Sequence, residues 1–139
     1  MKRSTRKGFS LIEMVIVILI LGIIAAVAAP RMFDTATTAE ENTTRQQLAV
    51  LRNAIEMHRA QKGTYPVALD TAMAEMLNGP FPSPSIGAVR NLAGIYYDTD
   101  TDPAVAVVPA PNATDGWAYK PVNGSLKLNV VSPAKGFDW

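Results

Sequence analysis

The chain has 139 residues, 13 basic and 12 acidic side chains, and no cysteine. That length is enough for one domain, and the lack of cysteine excludes disulfides, structural thiolate zinc and cysteine nucleophiles. Lys2, Arg3, Arg6 and Lys7 precede a long apolar run; without them nine basic residues face the 12 acidic ones, so nucleic acid is not the expected main partner.

Residues 9–29 form the apolar run, with Ser10 and Glu13 as its polar members. As a helix it measures about 32 Å at 1.5 Å per residue, against a hydrocarbon core about 30 Å thick. The basic cluster ahead of it is expected to stay cytoplasmic and the C-terminal part to lie outside. A cleaved secretory signal peptide has a shorter apolar core. A plain single-span anchor explains length and charge but leaves Glu13 without a reason. A carboxylate at a helix centre costs about 2.5–3.5 kcal/mol on insertion scales and marks a functional candidate. Gly22 lowers local helix stability, and Pro30 removes a donor and is expected to kink the helix.

Residues 31–62 read as a continuing, amphipathic helix. Leu48, Leu51, Ile55 and His58 recur at three and four residues, with Ala54 beside them. Residues 35–44 are thin in large apolar side chains. Gly63 is a helix stop, with Tyr65-Pro66 just beyond. A short helix is expected over 71–77, ended by Asn78-Gly79-Pro80, and residues 81–90 read as loop. Strands are expected at 95–97, 104–108, 117–120 and 126–131. Asn123-Gly124 between apolar runs signals a hairpin. Trp117 and Tyr119 share one face, as do Leu126, Leu128 and Val130. The expectation is an α+β fold: a long N-terminal helix packed on a small antiparallel sheet. A small domain without disulfides then takes its support from the long helix, a metal or neighbouring subunits.

Outside the apolar run the one chemistry-like cluster is Asp98-Thr99-Asp100-Thr101-Asp102. Alternate carboxylates resemble the opening of a calcium loop. Pro103 stands where glycine is wanted, and no glutamate follows at the bidentate distance. A solvated turn competes with that reading. His58, the sole histidine, reads as a packed or boundary residue, since a metal site needs further ligands. Tyr96, Tyr97, Trp117 and Tyr119 read as sheet core in preference to an exposed adhesive patch. Asn42, Asn112 and Asn123 open Asn-x-Ser/Thr triplets that read as coincidental.

Gly8-Phe9-Ser10-Leu11-Ile12-Glu13, after a short basic leader, resembles the processing site of type IV prepilins and type II secretion pseudopilins. The resemblance implies cleavage after Gly8 by prepilin peptidase and N-methylation of Phe9. It implies that Glu13 pairs with the Phe9 amine of a neighbouring subunit during assembly. Two charges in apolar surroundings are costly alone and tolerable only as a pair. The stretch from Gly22 to Pro30 matches a segment that can lose helical order in assembled filaments of the family. Gly63-Thr64-Tyr65-Pro66 and residues 115–129 are similar to a turn and a final hairpin of such proteins. The main pseudopilin of type II secretion holds calcium in a C-terminal loop, which makes Asp98, Asp100 and Asp102 candidates here, although the usual C-terminal ligand pattern is not visible.

The expected organisation is a leader at 1–8, a transmembrane and filament-core helix at 9–30, an amphipathic half at 31–62 and a globular part at 63–139. The implied role is a homo-oligomeric filament without catalysis of its own, in a type II secretion pseudopilus or a type IV pilus. Implied partners are prepilin peptidase, an inner-membrane platform protein, an assembly ATPase and other minor pilins or pseudopilins. The implied location is the inner membrane in a single pass, then a periplasmic or cell-surface filament. The alternative is a membrane-anchored periplasmic protein or enzyme that forms no filament. It needs a catalytic constellation that one histidine and no cysteine supply poorly.

Overall fold

The computed structural model describes residues 8–77 and 79–139. Residues 1–7, most of the expected leader, and Asn78 lie outside the described residues. The element order is α1 (Leu11–Lys62), α2 (Leu69–Ala74), a 3-10 turn (Gly87–Val89), β1 (Gly94–Tyr97), β2 (Asp115–Lys120) and β3 (Ser125–Leu128). The chain divides into two compact units between Thr37 and Thr38, and α1 contributes to both.

In the first unit all α1 residues are exposed, and from Leu11 to Pro30 the helix is apolar on every side save for Glu13. The helix runs through Gly22 and Pro30 without interruption. A proline removes one donor from the ladder; here that loss does not end the helix. The loss of helical order that the family resemblance implies concerns assembled filaments, whereas this helix belongs to a single chain.

The threonine-rich middle of α1 satisfies its hydroxyls locally. Thr35, Thr37, Thr43 and Thr44 each donate their hydroxyl to the carbonyl four residues back, at 2.8–3.0 Å. The hydroxyl is thereby satisfied inside the helix and does not compete for the backbone elsewhere. Gly63 ends α1 at φ 79°, a left-handed conformation that favours glycine, and its N–H donates to Arg59 O at 2.8 Å. His58 is half-buried, and its Nδ1 lies 3.1 Å from Thr64 O just past that helix end.

In the second unit Leu48, Leu51 and Ile55 are buried, the stripe expected from their spacing. They meet Leu69 and Met73 of α2, Trp117 and Tyr119 of β2, and Leu126 and Leu128 of β3 in one core. Of the four aromatic residues expected in the core, Tyr96, half-buried, is not among those packed on it, since it alternates with Tyr97 along β1. The other three lie there, Trp117 and Tyr119 fully buried and Tyr97 half-buried. Their polar tips are satisfied. Trp117 Nε1 donates to Pro82 O at 2.8 Å and Tyr119 Oη to Pro66 O at 2.8 Å. Tyr97 and Tyr119 meet edge to face at 6.1 Å.

The sheet has the order β1-β2-β3 and is mixed. β2 and β3 form the expected antiparallel hairpin, with Trp117 opposite Leu128 and Tyr119 opposite Leu126. β1 pairs parallel to β2, not antiparallel as expected, with Tyr97 opposite Tyr119. A parallel pair needs a crossover of a dozen or more residues, and residues 98–114 supply it. The strand expected at 104–108 belongs to this crossover and is irregular. Its amides find side chains instead of a ladder: Val107 N–H donates to Ser125 Oγ and Val108 N–H to Asp98 Oδ2. Pro103 and Pro109, which have no donor, bracket the segment.

α2 begins earlier than expected, at Leu69. Its first N–H donates to Tyr97 Oη at 3.0 Å, which replaces a side-chain cap. Thr44 ties α1 to the loop before the 3-10 turn: it is fully buried, and its Oγ1 accepts Ser85 N–H at 3.0 Å.

Candidate functional site: the N-terminal junction and its apolar helix

Gly8, Phe9 and Ser10 precede α1, non-helical and exposed. The Gly8–Phe9 peptide bond therefore lies outside the helix, which starts two residues later. Glu13 Oε2 accepts the backbone N–H of Ser10 at 2.7 Å, and Met14 N–H donates to Ser10 O at 3.3 Å. Ser10 is thus the residue that caps the helix, and Glu13 is its third helical residue. A glutamate there reaches back to satisfy an N–H the helix leaves without a partner. A negative charge is also favoured at this positive end of the helix dipole. The signal for this role was present as Ser10-x-x-Glu13 ahead of an apolar run, and the processing motif covering the same residues obscured it.

Beyond the junction the helix surface is continuous hydrocarbon. Leu11 is 81% exposed and Val27 61%. Among the described residues α1 is the one helix long and apolar enough to cross a membrane. Gly22 lies in a shallow apolar notch lined also by Val15, Ile18, Leu19, Ile23 and Ala26. A bare surface of this extent in a single chain requires cover from lipid or other protein.

The aspartate run lies in the second unit, at the start of the crossover. Asp98 accepts Asp100 N–H on Oδ1 and Val108 N–H on Oδ2. Asp100 Oδ1 accepts Asp102 N–H, and Asp102 Oδ1 accepts Ala104 N–H. Asp100 Oδ2 lies 2.9 Å from Lys120 Nζ. The Asp102 N–H bond, and then Lys120, hold the Asp100 carboxyl below its ordinary range. Among the described residues no three histidine, aspartate or glutamate side chains converge as a metal centre needs.

A capped, exposed peptide junction, an apolar membrane-length helix and a small sheet unit fed by the same helix define a pilin-like protein. The sequence profile described as the prokaryotic N-terminal methylation motif matches residues 3–29. The chain is similar to a fimbrial protein of Moraxella nonliquefaciens, 30% identical over 106 residues, covering 70% of this chain and 69% of that one. It is similar to the fimbrial protein EcpC of Eikenella corrodens, 28% identical over 107 residues, covering 76% and 70%. It is also similar to the type II secretion system core protein G of Aeromonas hydrophila, 26% identical over 91 residues, covering 66% of this chain and 63% of that protein. The chain thus spans a little under two thirds of that last relative's length. No solved structure matches it significantly. The chain belongs to the family of type IV pilins and type II secretion pseudopilins.

Proposed function

We propose that this chain is the structural subunit of a type IV pilus-like filament, built through its N-terminal helix. The observation that carries the reading is the pairing of a wholly exposed apolar helix with a single carboxylate, Glu13, at its start. Hydrolysis by prepilin peptidase adds water across the Gly8–Phe9 bond. Gly8 leaves as a carboxylate, and Phe9 becomes a free amine that is then N-methylated. Once residues 1–8 have left with Lys7, that amine is the one positive charge from Phe9 to Pro30.

In lipid, apolar helices gain little from hiding apolar surface, because the surrounding tails are equally apolar. Close packing and polar contacts then decide association. Glu13 of one subunit paired with the Phe9 amine of the next sets one axial register between helices, since either charge left alone is strongly disfavoured. The subunit waits as a single-pass protein of the inner membrane with its sheet unit outside the cytoplasm. It enters the fibre through a platform protein driven by a cytoplasmic ATPase, beside other minor pilins or pseudopilins. The chain serves as a building part, with catalysis left to the peptidase and the motor.

Mass spectrometry of the native protein tests this directly. The expected mature terminus is a methylated Phe9. A native chain that keeps its first eight residues overturns the reading. Deleting the gene assigns the fibre: lost secretion of exported proteins marks a pseudopilus, and lost surface fibres mark a pilus.

A further inference from the structure

β2 is covered on both faces. Trp117 and Tyr119 face α1 and α2, while the alternate residues Ala118 and Lys120 are equally buried. The crossover of residues 98–114 folds back over the second set. The Lys120 side chain is fully buried, and its ammonium donates to Asp100 Oδ2 at 2.9 Å and to Val105 O at 3.0 Å. A buried ammonium without oxygen partners is strongly disfavoured, so the loop must close on it for β2 to pack. Asn123 completes the closure, its Nδ2 donating to Val105 O at 2.8 Å and Pro103 O at 3.1 Å.

We propose that Lys120 is the built-in cation of this loop, and that the globular unit takes no calcium at Asp98, Asp100 and Asp102. Calcium wants six to eight oxygens at about 2.3–2.6 Å, from carboxylates and backbone carbonyls. The donors of this run do not fit it. One carboxylate oxygen and one backbone carbonyl of the segment, Asp100 Oδ2 and Val105 O, are both held by the ammonium. Asp98 Oδ1 and Oδ2, Asp100 Oδ1 and Asp102 Oδ1 point at backbone N–H groups of the loop itself. A divalent ion would have to share those oxygens with the amides, displace the ammonium from Asp100 Oδ2 and Val105 O, and sit against a buried positive charge. The positive charge that a bound metal brings to an acidic loop is here covalent, carried on the strand beneath. The inference is independent of whether the chain builds a pilus or a pseudopilus.

The test uses the full chain in detergent micelles, with near-ultraviolet dichroism of the buried Trp117 as the reading of packing. Melting curves in millimolar calcium chloride and in EDTA are expected to superimpose, and calcium titrated calorimetrically is expected to give no saturable heat. Lys120→Met, which keeps the stem and removes the charge, is expected to lower Tm by roughly 5–15 °C in either buffer. A Tm that falls in EDTA and returns with calcium overturns the proposal, and this reading needs no variant to fold. So does a Lys120→Met protein that melts with the wild type.

Discussion

The backbone N–H of Ser10 donates to the carboxylate of Glu13 at 2.7 Å, within the same chain. The acid proposed to pair with a neighbour's amine therefore already has a task before any neighbour arrives. It closes the first turn of α1 just past the Gly8–Phe9 bond. Capping and charge pairing make different demands on the side chain. Glutamine retains an acceptor oxygen for the cap and loses the charge. Glu13→Gln and Glu13→Ala are both expected to be cut after Gly8 normally and to assemble poorly. The check is sheared-fibre yield against total processed subunit on immunoblots. Wild-type yield from the glutamine variant would assign assembly to the cap and remove the charge pair from the mechanism.

Gly124 closes the β2–β3 hairpin at φ 70°, with its N–H on Lys120 O at 2.9 Å. A Cβ there would lie 2.3 Å from the ring of Tyr65, in the turn that follows α1. Alanine thus meets both backbone strain and an aromatic ring. Gly124→Ala is expected to cost about 2–4 kcal/mol, read as a lowered midpoint in chemical denaturation of the full chain in detergent. Gly22→Ala serves as the control, because a Cβ at Gly22 meets nothing.

Tyr119 and Tyr97 both titrate above their ordinary value of 10.0, chiefly because burial disfavours the phenolate. A raised folded value means that this stability is fully present below pH 10 and is lost as pH rises beyond it, where the unfolded chain alone gives up the protons. Tm is therefore expected to be level with respect to these groups up to about pH 10 and to fall steeply above it. Tyr119→Phe, which loses the bond to Pro66 O, is expected to start lower and to fall less steeply. Equal slopes for the two proteins would exclude Tyr119 as the source.

Thr44 joins two segments through one oxygen. It donates to Glu40 O at 2.9 Å and accepts Ser85 N–H at 3.0 Å, fully buried. Valine has nearly the same shape and leaves that amide without a partner. Thr44→Val is expected to cost about 1–3 kcal/mol, whereas Thr43→Val, on an exposed position of the same helix, is expected to be close to neutral. Amide exchange at Ser85 checks the assignment: it is expected to speed up in Thr44→Val and to hold in Thr43→Val.

The long helix, its buried stripe and its stop were all legible before any coordinates. Each rests on short-range pattern: the spacing of Leu48, Leu51 and Ile55, and glycine at 63. The β2–β3 hairpin was legible for the same reason, with Asn123-Gly124 between two alternating runs. The direction of β1 was not. Parallel pairing depends on the path of residues 98–114, and nothing local in Gly94–Tyr97 distinguishes one direction from the other. The 104–108 segment was misread because valines among small residues carry the same pattern in a strand and in a covering loop. Where its amides go was decided by Asp98 and Ser125, which chain folding brings to it from either side.

The junction before α1, the apolar run and its lone acid were determined by the sequence itself, because a membrane-length helix and its first turn need only neighbouring residues. Which groups of the chain the aspartate run bonds to was decided by tertiary structure alone. Read along the chain, Asp98, Asp100 and Asp102 fit the opening of a calcium loop or a solvated turn. Folded, they turn their oxygens to their own loop and to an ammonium 20 residues away on β2. Electrostatic partners at that separation are set by which faces of a sheet are covered, and that is a property of the whole packed unit.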